Sequence, residues 1–539
     1  MRAYFGPTIC CGIAAASAAA SGGTAHDDMV DVLIVGAGWA GMGAADHLVR
    51  ANKNVTFKVL EARSDTGGRT RALLFGDAEK GPGQFIVERG SNWVCGVGGG
   101  ASGHKHVKPT APSVVTNPML DLQLRANLKT AKIWGSSQNM SNYAKVFGVG
   151  GADADPDAKL RDRANRALDC VNATAFNGKY NDSVTTRQAM AACGWNPMTE
   201  AEWAVDWVAT VDDPGFPSEL QSANGFAPDE SYMWWGKDDN FVVDQNPRGY
   251  AKLLDVMVAD TIPDGDPRLL LGAAVETIAY DCAGVVVTLA DGSTHAGRQL
   301  ISTLPLGVLQ RRHATMFVPP VPPAHAEALD SEGMVMGNLT HVVLQFPKTF
   351  AFPPKWAGLT RWVSAVAGGH DTASSGQFSE WQNLNHATMI PGSNILLSFL
   401  GDPQSSYYEG QPDAVGQAAA MKALRAQNPE LTIPDPVAFF LSRHGYDPLS
   451  YGAYSGFAPG WKDKYYKTIL TPLHANDCPS GKVRDHDRVF WAGEAMCDDL
   501  TGFTHGGRQS GIEAAAKLLH LAGKGPNPSN VDRLSMCDW

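Results

Sequence analysis

Gly36, Gly38 and Gly41 form a GxGxxG placed directly after an apolar run, Val30-Asp31-Val32-Leu33-Ile34-Val35, and Glu61 follows twenty residues past Gly41. In that setting each residue type has a physical job. Gly36 permits a tight turn after a strand, Gly38 lets the backbone approach a pyrophosphate, and Gly41 allows a helix to pack close to the strand. The helix N-terminus, with Ala40 in its first turn, faces phosphate with the positive end of its dipole. Glu61 is placed to accept hydrogen bonds from the hydroxyls of an adenosine ribose. The chemistry is dinucleotide binding, and the fingerprint by itself does not separate FAD from NAD. His104-Lys105-His106 sets two histidines one residue apart, but in an inserted, glycine-flanked stretch where a solvated loop is expected. No CxxC or Cys/His set has zinc spacing, so no metal site is expected.

Holding a dinucleotide this way requires a β-α-β unit. The sequence supplies a buried strand over Val30 to Val35, a helix over Ala40 to Arg50 and a second strand over Val55 to Leu60. From about Leu120 to Trp235 helix formers dominate, broken by Gly and Asn-Pro, and Trp195, Trp203, Trp207, Trp234 and Trp235 read as core. Leu269 to Leu309 returns to a β pattern with turns at Asp281–Gly284 and Asp291-Gly292, and a further strand surrounds Val342 to Phe346. Near the end, Val489 to Gly493 reads as strand and turn, followed by a loop and a helix from about Gln509 to Leu521. The predicted class is α/β. A Rossmann-like domain is assembled from the separated segments 28–95, 246–330 and 460–525. An α+β domain with a mixed or antiparallel sheet is inserted as 96–245 and 331–459.

Glu61-Ala62-Arg63-Ser64-Asp65-Thr66-Gly67-Gly68-Arg69-Thr70 resembles the E-A-R-x-x-x-G-G-R signature of the flavin-containing amine oxidase family. Three further stretches match it: Glu88 to Val94, including Ser91, Asn92 and Trp93; Asp266 to Leu309, including Val275; and Trp491-Ala492-Gly493-Glu494 with Gly502-Phe503-Thr504-His505-Gly506-Gly507. The resemblance is closest to the polyamine oxidases. It implies noncovalent FAD, with Ala62, Arg63, Gly68 and Arg69 toward the pyrophosphate side and Ser91, Asn92 and Trp93 beside the flavin. It also places Val275 on the adenine through its backbone, Glu494 on the ribityl-diphosphate and the Thr504 backbone at the pyrimidine. The segment-built domain would then hold FAD and the inserted one the substrate.

The same resemblance implies oxidation of spermine, spermidine or acetylated forms. A hydride passes to flavin N5, the imine hydrolyses to aldehyde and amine, and O2 is reduced to H2O2. Tyr454 and Phe503 would sandwich the substrate. Several departures sit at the substrate end. Cys95 follows N-W-V where plant-type members carry glutamate, and a second family carboxylate falls near Thr210, with Asp212 and Asp213 close by. Arg443-His444-Gly445-Tyr446 occupies the region of a missing tryptophan. His341 stands where the family lysine holds a water near N5, and an unperturbed imidazole there would titrate within ordinary assay pH. An L-amino-acid oxidase is the alternative, with Arg443 or Arg508 to hold the carboxylate. A flavin-binding protein without amine turnover is a third reading.

The 539 residues exceed one hydrophobic core, and 44% hydrophobic with 18% charged residues describes a globular chain. A formal charge of −11 and no Lys/Arg cluster argue against nucleic acid. Residues 1–25 read as a signal peptide, with Arg2, an apolar stretch from Ile9 to Ala20 and cleavage near Ala20 or Ala25, so a secreted or lumenal product without stable membrane insertion is expected. Residues 526–539 read as a tail. Sequons stand at Asn54, Asn139, Asn172, Asn181 and Asn338. Past Cys10 and Cys11, seven cysteines remain (Cys95, Cys170, Cys193, Cys282, Cys478, Cys497 and Cys537), so at least one stays outside a disulfide.

Overall fold

The computed structural model describes residues 29–525 except 52–53, 98–116, 134–139, 141–142, 177, 179, 226–237, 476–477, 479–485 and 498–499. The signal stretch, His104 to His106, Asn139, Trp234, Trp235, Cys537 and the 526–539 tail therefore lie outside the described residues.

Strand β1 (Val30–Val35), helix α1 (Trp39–Arg50) and strand β2 (Phe57–Leu60) form the expected β-α-β unit. β1 is central in a nine-stranded sheet, which is why Val32 to Val35 are apolar on both faces and buried. It pairs in parallel with β2 on one side and with Thr294–Ser302 on the other. Parallel strands continue outward as Leu269–Leu270 beyond β2 and as Asp487–Trp491 beyond the second half of Thr294–Ser302. The first half of Thr294–Ser302 instead takes antiparallel Val285–Leu289, which turns at Asp281–Gly284 into Val275–Tyr280.

The β pattern does not run on to Leu309 as expected. The chain leaves the sheet after Ser302, and Leu306–Met316 is a helix with Pro305 at its N-cap. A short apolar run fits a buried helix as well as a strand, and proline favours the start. The last helix, Thr504–Leu521, begins five residues earlier than expected. Gly506 and Gly507 argue against helix by propensity, but packing overrides this: a Cβ at Gly506 would lie 2.0 Å from the Leu500 carbonyl oxygen. That helix lies against α1 so tightly that a Cβ on Gly511 would fall 1.9 Å from the Ala40 oxygen, and one on Gly43 2.7 Å from the Arg508 oxygen. The Gly/Ala content of both helices is the condition for this contact.

A second, six-stranded sheet runs Ala438–Leu441, Thr340–Gln345, Ile395–Leu400, Glu380–Asn383, Arg361–Ser364 and Val146–Phe147. It is antiparallel except for its last pair, which is parallel, so it is mixed as expected. Helices Lys159–Phe176, Thr186–Ala192 and Glu200–Thr210 share a core with it, including Val171, Trp195, Trp207, Val363, Leu397 and Phe399. A reciprocal Thr199/Glu202 capping box starts Glu200–Thr210.

Disulfides join Cys170 to Cys193 and Cys282 to Cys478, while Cys95 keeps its thiol. Among the sequons in described residues, Asn172 and Asn338 are buried, and Asn54 and Asn181 are exposed.

Candidate active site

A cavity of about 420 Å³ opens at the C-terminal end of β1 and takes its lining from both sheets. Gly36 has φ +99°, and a Cβ there would meet Thr303 Oγ1 at 2.5 Å. Gly38 and Gly68 face each other as bare backbone, and a Cβ on Gly68 would already touch the Gly38 Cα at 3.5 Å. Bare backbone of this kind is a cradle that side chains would fill and a pyrophosphate can use. Gly36, Gly38 and Ala40 line the cavity. Gly41, the third glycine of the fingerprint, does not line it and so is not itself a cofactor contact, in keeping with the packing role expected of it. It lies beneath the turn, where a Cβ would come within 1.8 Å of the Gly36 oxygen, so its contribution is helix packing alone.

Glu61 accepts the backbone N–H of Ala37 at 2.6 Å and of Arg63 at 2.8 Å, and it lines the wall with Ala62, Arg63 and Val275. Arg69 Nη1 donates to Glu494 Oε1 and to the Ala453 carbonyl, both at 2.9 Å. Two residues both expected toward the diphosphate of the cofactor are thus an ion pair with each other. Glu494 also accepts from the Gly502 N–H at 2.9 Å and from Ser455. Ser91, Asn92 and Trp93 line the same wall, and Asn92 Nδ2 and Trp93 Nε1 are buried donors without a partner among the described residues. Thr504 opens the last helix on the cavity, its Oγ1 3.0 Å from the Tyr250 hydroxyl. Two helix N-termini therefore meet one cavity, a field suited to an anionic dinucleotide.

Cys95, Tyr454, Phe503 and His341 gather around the remainder of the space. The Tyr454 hydroxyl donates to the Asp213 carbonyl, and Phe503 stacks on His505 at 5.1 Å. His341 comes from the buried strand Thr340–Gln345, where Phe399 meets its ring edge-to-face at 5.0 Å. Its Nδ1 lies 3.2 Å from the Glu88 carbonyl, which can only accept, so Nδ1 carries the proton and Nε2 keeps a lone pair. Burial depresses the imidazole to about 4, further lowered by His444, against the raising effect of the Glu88 carbonyl bond. This corrects the expectation of titration within ordinary assay pH: desolvation disfavours the imidazolium beyond what the hydrogen bond restores.

The structure adds Asp213, which lines the cavity where Thr210 does not. Asp212 is turned away, buried beside Glu380 and 3.8 Å from Arg361, and burial with the nearby Glu380 charge holds its carboxyl well up. His444 also lines the cavity, its Nε2 2.7 Å from the Arg89 carbonyl. The departure from the family tryptophan was the signal for it, and only geometry shows that its ring joins His341. Neither Arg443 nor Arg508 lines the cavity, contrary to the carboxylate-holding role considered for them. Arg443 is spent on Asp413 and the Glu409 and Gln411 carbonyls.

Two buried carboxyls flank this region. Glu88 accepts the Tyr250 N–H at 2.7 Å through Oε1, has no partner for Oε2 among the described residues, and is pushed up by burial to about 8. Asp239, holding the Gly96 N–H at 3.1 Å, is likewise pushed up by burial to about 8.

The model of a family described as flavin containing amine oxidoreductase matches residues 39–519. Polyamine oxidase 1 of Zea mays is 27% identical over 504 residues, 92% of this chain and 91% of the relative. Lysine-specific histone demethylase 1 homolog 1 of Oryza sativa subsp. japonica is 27% identical over 511 residues, 91% of this chain but 52% of that protein. Among solved structures, putrescine oxidase bound to putrescine superposes with a TM-score of 0.64 at 18% identity, covering 91% of this chain and 99% of that one. Cyclohexylamine oxidase from Brevibacterium oxydans IH-35A gives 0.63 at 17% identity, with 92% and 100% covered. With the match spanning most of the chain and the cradle, the Arg69–Glu494 pair and the two helix N-termini on one cavity, the chain belongs to the flavin-containing amine oxidoreductase family.

Proposed function

We propose that the protein binds FAD noncovalently and oxidises amines, with polyamines such as spermidine, spermine or their acetylated forms as substrates. The observation that carries this reading is one cavity joining the glycine cradle, the Arg69–Glu494 pair and the Thr504 helix terminus to an end walled by Tyr454, Phe503 and His341. FAD, when bound, supplies the two-electron acceptor and the route to O2. The chain's own contribution is placement and electrostatics. Tyr454 and Phe503 exclude water and position the amine. His341 Nε2 accepts a hydrogen bond from a water or substrate N–H without adding positive charge. Cys497 is buried in a disulfide and outside the cavity wall, which supports noncovalent attachment. The disulfides also support the reading of a secreted or lumenal protein.

The test is purification with a flavin spectrum, followed by peroxide release measured across polyamines, monoamines and amino acids. Faster turnover of spermidine or spermine than of any amino acid is expected. A preference for carboxylate-bearing substrates would favour the L-amino-acid oxidase, and flavin retention with no amine turnover would favour the binding protein.

A further inference from the structure

His341 and His444 are held by the same device. His341 Nδ1 bonds the carbonyl of Glu88 at 3.2 Å and His444 Nε2 bonds the carbonyl of the next residue, Arg89, at 2.7 Å. Carbonyls accept only, so each bond fixes the ring proton on the anchored nitrogen and leaves a lone pair on the other. Among the described residues, no protein group hydrogen-bonds His341 Nε2 or His444 Nδ1, and both residues line the one cavity. The cavity thus presents two fixed acceptors on neutral rings. Burial depresses both imidazoles, His341 to about 4; for His444 the Arg89 carbonyl bond and Asp447 oppose the shift while Arg69 and the Arg89 guanidinium add to it.

Resting on the amine-oxidase reading above, we propose that His341 and His444 form an acceptor pair for two N–H hydrogens of a primary amine, directing oxidation to a terminal carbon. A primary amine offers two N–H groups with its lone pair still free, a secondary amine one and a tertiary amine none. The terminal reaction balances as R–CH2–NH2 giving R–CH=NH, with two electrons and two protons passing through flavin to O2, after which water releases R–CHO and NH3. Oxidation at an internal secondary nitrogen would release a smaller amine instead. The pair is a determinant of which C–N bond of a polyamine is cleaved.

Two measurements on the FAD-bound protein test this. In the first, spermidine turnover is analysed for products: ammonia equal to the peroxide formed is expected, and a smaller diamine without ammonia overturns the proposal. The second needs no turnover. Calorimetry compares tert-butylammonium, which cannot be oxidised at its tertiary carbon, with tetramethylammonium, of similar shape and charge but without N–H. Wild type should bind the first about tenfold more tightly, His444→Phe should lose that preference, and His444→Asn, which keeps an acceptor, should retain part of it. Equal binding of the two ions by wild type, or an unchanged preference in His444→Phe, overturns the pair. A protein that turns over no amine yet keeps the tert-butylammonium preference would reject the oxidase reading and leave the acceptor pair standing.

Discussion

Replacing Glu88 by Gln should make the protein more stable at alkaline pH, and the size of the effect follows from the burial of one carboxyl. Glu88 keeps its proton to about pH 8 in the folded chain against an ordinary value of 4.5. Below 4.5 both folded and unfolded chains carry the proton, and pH has no leverage through this group. Between 4.5 and 8 only the unfolded chain has lost it, so stability falls as pH rises, and above 8 the slope ends. At about 1.4 kcal/mol for each tenfold in proton affinity, the loss is about 5 kcal/mol, an upper figure because relaxation and water entry reduce it. For a chain of 539 residues, an unfolding entropy of about 2 cal/mol/K per residue converts this to about 5 °C in melting temperature. Glutamine keeps the acceptor for the Tyr250 N–H and cannot ionise. Melting temperatures of FAD-bound wild type and Glu88→Gln should be close at pH 5 and separate progressively to pH 9, with the variant higher. A gap that stays constant across that range would refute the reasoning.

Gly41→Ala should lose flavin absorbance on purification, because a methyl 1.8 Å from the Gly36 oxygen cannot be accommodated without moving the fingerprint turn. Arg69→Ala should weaken FAD retention tenfold or more in equilibrium dialysis, since it removes a cation and leaves Glu494 unneutralised beside the cradle. His341→Ala should slow either flavin reduction or reoxidation by about 10²-fold or more in stopped flow. The His341 proton should give no inflection in the wild-type rate between pH 6 and 9, because the ring is neutral above about 4. Arg443→Ala should leave the ranking of amines over amino acids unchanged in the peroxide assay.

The nucleotide end of this molecule was legible in the sequence because its chemistry is written in local spacing. Gly36, Gly38, Glu61 and the Gly67-Gly68-Arg69 run all fall within one β-α-β unit and the turn that follows it, and all reach the cavity. Long-range pairings were not legible. That Arg69 meets Glu494, 425 residues away, depends on the sheet order rather than on any local pattern. The same holds for Asp213 and Asp212: adjacent residues at the end of Glu200–Thr210 divide between cavity and core, and no periodicity indicates which faces which. His341 was located by resemblance, but its tautomer comes from the Glu88 carbonyl and its depressed basicity from burial in a strand where the Phe399 ring packs against it, both supplied by distant segments. Propensity failed at Gly506 because close packing against Leu500 favours glycine where an isolated helix would not.

The arrangement of the large sheet sets an order on synthesis. β1 and α1 emerge long before the strand Asp487–Trp491 that flanks Thr294–Ser302 and the helix Thr504–Leu521 that clamps α1 through Gly511. A nascent chain therefore carries its fingerprint through the synthesis of everything between them with no counterpart to close the cradle. Cofactor capture then waits on the segment from Asp487 to Leu521, and a truncation in the last forty residues before Leu521 should release a chain that has the dinucleotide motif intact and no means of using it.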